Sequence, residues 1–398
     1  MHVIGIIAEY NPFHSGHQYH IQEIRRKFGS DAFIVCIMSG NWVQRGDAAI
    51  ADKWTRSTIA LRGGVDLILE LPTVWAVSSA ETFAEGGVSL LSATDLVETL
   101  SFGSEAGILF PLLKTADFLS SSDYHSALRQ SLDQGLSFPA ARQQAATQCM
   151  GTLADCLKTP NNNLGIEYIR AIARLSSSMV PSTILRQGVD HDDDSVTSDF
   201  ASASYLRKQL LSGHWSKVSP YLADEETEFL RTNGLTSLTY CSRGVFARLR
   251  SMSPDDFLSL PDSGEGLHNR LYRAVMHSTD LNELYEKVKT RRYTHARIRR
   301  LVLWAFLGLT KSDRPAAPPY LRVLGMNKRG QLLLKQMKRT AKVPILTKAA
   351  HAQKLDPVGR HLFALEARCT SLYDLCRADF GKTIGPSEYT MNPVIFSK

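Results

Sequence analysis

Along the first half of the chain, short runs that are apolar at nearly every position alternate with stretches whose apolar residues recur at helical spacing. Residues 2–8 (HVIGIIA), 32–38 (AFIVCIM) and 65–71 (VDLILEL) are of the first kind. Side chains alternate across a strand, so a run without a polar face predicts a strand covered on both sides. Residues 96–102 (LVETLSF) and the short piece 182–185 read as two more strands. Between the first two runs, Ile21, Ile24 and Phe28 fall at i, i+3 and i+7 and Gly29 follows, which predicts an amphipathic helix with a glycine end. Residues 52–62, 79–92 and 108–157 carry helical patterning, and Leu164, Tyr168 and Ile172 continue a helix opened by Asn161-Asn162-Asn163. Buried strands separated by helices predict an α/β fold, a parallel sheet with helices on both faces and right-handed crossovers. Beyond about residue 205 strand-like runs become scarce, and helical spacing dominates 206–211, 246–258, 281–289, 298–309 and 330–337. The pattern predicts two domains, 1–208 and 209–398, the second mainly α-helical.

Composition narrows this only a little. The chain has 398 residues, 43% apolar and 21% charged, which is enough for a full core and excludes a disordered protein or a disulfide miniature. No apolar run reaches spanning length, so no membrane association is expected. The start, MHVIGIIAEYNPFHSGH, lacks a basic n-region and reads as a strand, not a signal peptide. Cys36, Cys149, Cys156, Cys241, Cys369 and Cys376 are scattered without a C-x-x-C pair, so neither a zinc site nor a redox motif is supported. Scattered thiols fit a reducing, cytoplasmic setting. A net charge of +7 is compatible with a polyanionic partner without requiring one.

The chemistry concentrates after the first strand, in Asn11-Pro12-Phe13-His14-Ser15-Gly16-His17. The tetrad His14-x-Gly16-His17 falls between a parallel strand and the N-terminus of its crossover helix. Ligands of open α/β sheets bind outside the carboxyl ends of the strands, and helix N-termini attract anions. Two imidazoles three residues apart face one ligand there, and Gly16 permits close approach of a phosphate chain. This suits nucleotidyl transfer, in which the protein positions phosphates and neutralises developing charge. Zinc binding by H-x-x-H is the competing reading, but no third ligand is near in sequence.

The tetrad in this context resembles the H-x-G-H signature of the nucleotidyltransferases, shared with class I aminoacyl-tRNA synthetases. Residues 201–207 (ASASYLR) are similar to that superfamily's second phosphate-binding segment, which implies Ser202, Ser204 and Arg207 as phosphate ligands. The series AEYNPFHSGH, MSGNWVQRG, DKW, FGSE, PNNNLGIEY, RRYT, RIRR and RVLG occurs in order and resembles the bacterial tRNA(Met) cytidine acetate ligases across nearly the whole chain. The resemblance implies a Rossmann-like nucleotidyltransferase sheet. It also implies that ATP and acetate form acetyl-adenylate, with release of diphosphate. The acetyl group then passes to N4 of the wobble cytidine of elongator tRNA(Met), giving N4-acetylcytidine. His14 and His17 are then the catalytic pair. The implied ATP site is Ile7, Ala8, Glu9, Tyr10, Asn11, Pro12, Phe13, His14, Ser15, Gly16, His17, Gln18, Tyr19 and His20, completed by Gly103, Asn162, Arg186 and Gln187. Magnesium is expected to ride on the phosphates, with no metal held by the protein itself and no stable protein partner.

Several of these residues also have plainer readings. Gly103 alone is a strand-ending turn, Asn162 alone an N-cap, and Arg186 alone a surface arginine. Glu9 and Tyr10 could shape an acetate pocket. Lys53 and Arg56 could reach phosphates or simply line a solvated helix face. Asp192-Asp193-Asp194 reads as a solvated loop, and Gly381-Lys382-Thr383 lacks the first glycine of a P-loop. Basic residues gather in two runs. The first holds Arg291, Arg292, Arg297, Arg299 and Arg300 around Tyr293 and His295, and the second holds Lys328, Arg329, Lys335, Lys338, Arg339 and Lys342. Charges interleaved with rings point to RNA, with Tyr293 as a stacking face and Lys328 and Arg329 among the contacts. The competing functions are an adenylyltransferase acting on a small phosphorylated coenzyme precursor, and an RNA-binding protein with a vestigial nucleotide fold.

Overall fold

Strand β1 (Val3–Ala8) is the axis of the sheet in the computed structural model, which describes residues 2–187, 199–379 and 387–397. Helix α1 (Ser15–Phe28) returns the chain to β2 (Phe33–Ser39), which pairs parallel with β1. A small hairpin follows, β3 (Trp42–Val43) with β4 (Asp47–Ala48). Helix α2 (Lys53–Arg62), capped by Asp52, leads to β5 (Leu67–Leu71) on the outer side of β2. Helix α3 (Ala80–Thr94) then crosses back, and β6 (Thr99–Ser104) joins the other side of β1. After helices across 109–158 and helix α4 (Pro160–Arg174), β7 (Val180–Leu185) closes that side. The chain therefore winds one way from β1 through β2 to β5 and the other way through β6 to β7. The reversal between β1 and β6 is the switch point of a doubly wound sheet.

Alternate residues of these strands enter different cores, as their unbroken apolar runs require. Val3, Ile7, Val35, Ile37, Leu67 and Leu69 pack on one face. Ile4, Ile6, Ile34, Cys36, Met38 and Ile68 pack on the other.

The second half is largely helical, including α5 (Ala203–Leu211) and α6 (His295–Leu307), but it also completes the sheet. Strand β8 (Leu321–Asn327) lies antiparallel against β5. Helix α7 (Lys328–Thr340), β9 (Ile345–Leu346), helix α8 (Pro357–Asp374) and β10 (Val394–Phe396) follow, with β9 and β10 both pairing β8. The sheet is thus mixed, not wholly parallel, and its outer edge comes from residues beyond 209. The helical spacing of the second half hid these strands. The acidic loop at 192–194 and the segment 381–383 lie outside the described residues.

Candidate active site

The path out of β1 is tightly built. Tyr10 turns the chain with φ 48, and the Asn11–Pro12 bond is cis. Asn11 Oδ1 accepts from the Ile50 N–H at 2.7 Å, and its carbonyl accepts from Arg207 Nη1 at 2.8 Å. His14 then caps α1. Its Nδ1 accepts from the Gly16 N–H at 3.1 Å, and His17 Nδ1 accepts from the His14 N–H at 3.2 Å. Imidazoles here do the reciprocal work that Ser and Glu usually do at a helix start. A ring nitrogen that accepts a hydrogen bond carries no proton, so each neutral ring is fixed as the Nε2–H tautomer. The two rings lie with centroids 3.9 Å apart, and His17 is braced edge-on by Tyr10 at 4.9 Å. The pair thus offers two oriented N–H donors at a helix N-terminus. Gly16 serves the pair as well as any ligand, because a Cβ there would stand 2.9 Å from His14 Cε1.

These rings open on a cavity of about 650 Å³ at the carboxyl ends of β1 and β6. From the turn side it is lined by Ile7, Ala8, Glu9, Tyr10, Asn11, His14, His17 and His20, and from β6 and α4 by Phe102, Gly103, Asn161, Asn163, Leu164 and Tyr168. Arg186, Ser202 and Ala203 complete one rim, and Gln44 and Arg45 of the hairpin another. The far wall is the N-terminal end of α6 with its cap, through Thr294, His295, Ala296, Arg299 and Arg300. Glu105 holds the start of α4 in place, accepting from the Asn161 and Asn162 backbone N–H groups at 3.1 and 2.7 Å. These bonds, with Asn161 Nδ2, keep its carboxyl below the usual range in spite of burial. His20 bonds Ser101 Oγ at 3.0 Å, and burial, helped by the Arg186 guanidinium, lowers its pKa to about 4. It is therefore neutral at physiological pH.

Other expected residues are placed differently. Pro12 and Phe13 are buried behind the turn, and Ser15 Oγ donates to the Asp199 carbonyl at 2.8 Å. Gln18 lines a smaller pocket with Phe13, while Tyr19 meets Phe200 edge-on. Asn162 is not the N-cap, which is Thr159. It lies inside the first turn of α4, with Oδ1 accepting from the Ala106 N–H at 3.0 Å. Gln187 is exposed outside the cavity lining. Ser202 caps α5 at the rim, but Arg207 bonds Asn11 and Ser204 and so braces the H-x-G-H turn. Lys53 and Arg56, each 1% exposed, are buried outside the cavity lining and form no solvated helix face. Lys53 Nζ lies 2.6 and 2.5 Å from Glu70 and Glu388, and Arg56 holds the carbonyls of Glu9, Ser39, Gly40 and Ala51.

The two basic runs part company. Arg291 and Arg292 are exposed beside the cavity wall that Arg299 and Arg300 form. Tyr293 is not a stacking face. It is 6% exposed, its hydroxyl donates to the Glu265 carbonyl at 2.6 Å, and Arg297 covers its ring while bonding the Asp262 carbonyl. Lys328 and Arg329 sit at the opposite end of the sheet, because β8 runs antiparallel and delivers them to the amino ends of β2 and β5. There Arg329 bonds the Asp31 and Ala32 carbonyls, pairs with Asp66 and lies over Phe33. The hairpin is a site element that the apolar patterning of the sequence does not mark. Its Gly46, at φ 77, touches the Arg299–Arg300 backbone so closely that a Cβ would stand 2.5 Å from it.

A switch-point cavity with paired, helix-capping imidazoles defines a nucleotidyltransferase, and the family profile described as HIGH Nucleotidyl Transferase matches residues 1–385. The tRNA(Met) cytidine acetate ligase of Acetivibrio thermocellus is 36% identical over 99% of this chain and 100% of its own. That of Caldanaerobacter subterraneus subsp. tengcongensis is 38% identical over 96% of each. The apo crystal structure of Thermotoga maritima TmcAL matches with TM-score 0.96 at 30% identity over 100% of both chains. The structure of the same protein bound with alpha-thio ATP matches at TM-score 0.93. The chain belongs to the family of tRNA(Met) cytidine acetate ligases.

Proposed function

We propose that the protein joins acetate to ATP, forming acetyl-adenylate and diphosphate, and transfers the acetyl group to N4 of the wobble cytidine of elongator tRNA(Met). The observation that carries this reading is the His14–His17 pair, fixed as two Nε2–H donors at a helix N-terminus in a cavity with a basic far wall. Acetate is ionised at neutral pH and needs no base. Activation therefore rests on aligning its oxygen with the α-phosphorus while the imidazoles hold the charge that builds on the phosphates. The apolar side of the cavity, Ile7, Phe83, Phe102 and Leu164, suits the acetate methyl group. Magnesium would ride on ATP. Among the described residues no group of three His, Cys, Asp or Glu side chains converges on one point. Arg291, Arg292, Arg299 and Arg300 would hold the anticodon backbone while the cytosine is turned out of its stack. The setting we assign is the cytoplasm, where ATP, acetate and tRNA occur together. No helix among the described residues is long and apolar enough to cross a membrane.

Incubation with labelled acetate and ATP, with and without tRNA(Met), tests the proposal. Label is expected on the tRNA, together with acetate-dependent exchange of diphosphate into ATP. Adenylylation of a phosphorylated mononucleotide, with no acetate dependence, would replace it by the coenzyme-precursor reading.

A further inference from the structure

Among the described residues that line the cavity, otherwise rich in arginine and histidine, Glu9 is the one carboxylate. Beside a site for ATP and acetate a carboxylate repels both substrates, so its charge does not favour the activation step. The transfer step differs, because its nucleophile is a neutral amine that must lose a proton as it is acylated. The imidazoles are poorly placed to take that proton. His14 and His17 are held with Nδ1 accepting from backbone N–H groups, which makes Nε2 a donor edge. His20 is tied to Ser101 on the β6 side of the cavity, and His295 Nε2 faces Glu286 at 3.5 Å.

The position of Glu9 fits the remaining role. Its Oε1 accepts from the Gln44 N–H at 2.7 Å, and its backbone carbonyl accepts from the buried Arg56 at 2.5 Å. Gln44 belongs to the hairpin turn whose Gly46 rests against the Arg299–Arg300 backbone. The carboxylate is therefore fixed at the seam between the H-x-G-H turn and the hairpin that rests on the basic wall. We infer that Glu9 is the catalytic proton acceptor of acetyl transfer, taking a proton from the N4 amine of the cytidine. This rests on the proposed function. The N4 lone pair forms a bond to the acetyl carbonyl carbon, and the C–O bond to AMP breaks with its electron pair leaving on AMP. The N4 proton passes to Glu9 Oε2 and then to water.

The test compares the two half-reactions in Glu9→Gln and Glu9→Asp. In Glu9→Gln, single-turnover transfer from preformed acetyl-adenylate to tRNA is expected to fall at least ~100-fold, the usual weight of a positioned base. Acetate-dependent diphosphate exchange should fall far less, and tRNA affinity should stay within a few fold. Glu9→Asp should recover part of the transfer rate. Equal losses in both half-reactions would make Glu9 a structural anchor, and unimpaired transfer would remove it from the chemistry. Either result overturns the inference. A wild-type protein that exchanges diphosphate with acetate yet never labels tRNA would instead overturn the functional reading beneath it.

Discussion

His14 and His17 each do two jobs with two nitrogens. Nδ1 accepts a backbone N–H at the start of α1, and Nε2 is thereby left as the donor nitrogen of a ring that lines the cavity. The jobs can be separated. Asn at position 17 keeps an acceptor near the His14 N–H but loses the outer donor. His17→Asn should therefore cut acetate-dependent diphosphate exchange by roughly 100-fold or more, as removal of a transition-state donor does, with little change in thermal midpoint. His17→Ala should show the same activity loss plus about 1 kcal/mol of stability, read by denaturant unfolding. A second residue-scale prediction concerns Glu226, which is 5% exposed and whose carboxyl is pushed up to about 8 by burial. A carboxyl raised in the folded state binds a proton that the unfolded chain has already released. Stability therefore falls as pH rises from the ordinary carboxylate range to about 8. Glu226→Gln should raise the thermal midpoint clearly at pH 8 and hardly at all at pH 4.5. A constant shift across that range would refute the assignment. The H-x-G-H pair was legible in the sequence because its geometry is local, set by a strand end and three residues of helix. The fates of Lys53 and Tyr293 were not legible. Each is buried by groups far away in the chain, Glu388 for the first and Glu265 for the second.

Among the elements, the small hairpin joins the two halves of the site. It anchors Glu9 from one residue and packs Gly46 on α6 from another. Gly46→Val places a branched side chain at φ 77 and against backbone 2.5 Å away, so the hairpin and α6 must separate. The expected result is a stability loss of roughly 2–3 kcal/mol in denaturant unfolding, the scale of a backbone clash with strain. Loss of tRNA affinity should accompany it. Wild-type behaviour in both assays would show that the contact is dispensable. Strands β1, β2 and β5 could be read from the sequence because both their faces are apolar. Strand β8 could not. Its run LRVLGMN is broken by Arg322, Gly325 and Asn327, and the partners of the buried Arg322 come from far along the chain, Glu388 at 3.7 Å and the Phe363 ring beneath it.

On the scale of the whole molecule, the positive charge is divided between opposite ends of the sheet. Arg291, Arg292, Arg299 and Arg300 lie at the carboxyl end, beside the cavity. Lys335 and Lys338 are exposed on α7, which starts from the other end. Neutralising the four arginines should weaken tRNA binding by at least tenfold and flatten its dependence on salt, because fewer counterions are released. Changing Lys335 and Lys338 to Gln should leave both within a factor of about two. Equal effects from the two sets would show that the tRNA does not approach through the wall of the cavity. Activation stands on the imidazole pair, and a crystal structure with a non-hydrolysable ATP analogue is its sharpest test. Phosphate oxygens are expected within hydrogen-bond distance of Nε2 of both His14 and His17. A nucleotide bound with its phosphates elsewhere, and that pair untouched, would contradict it.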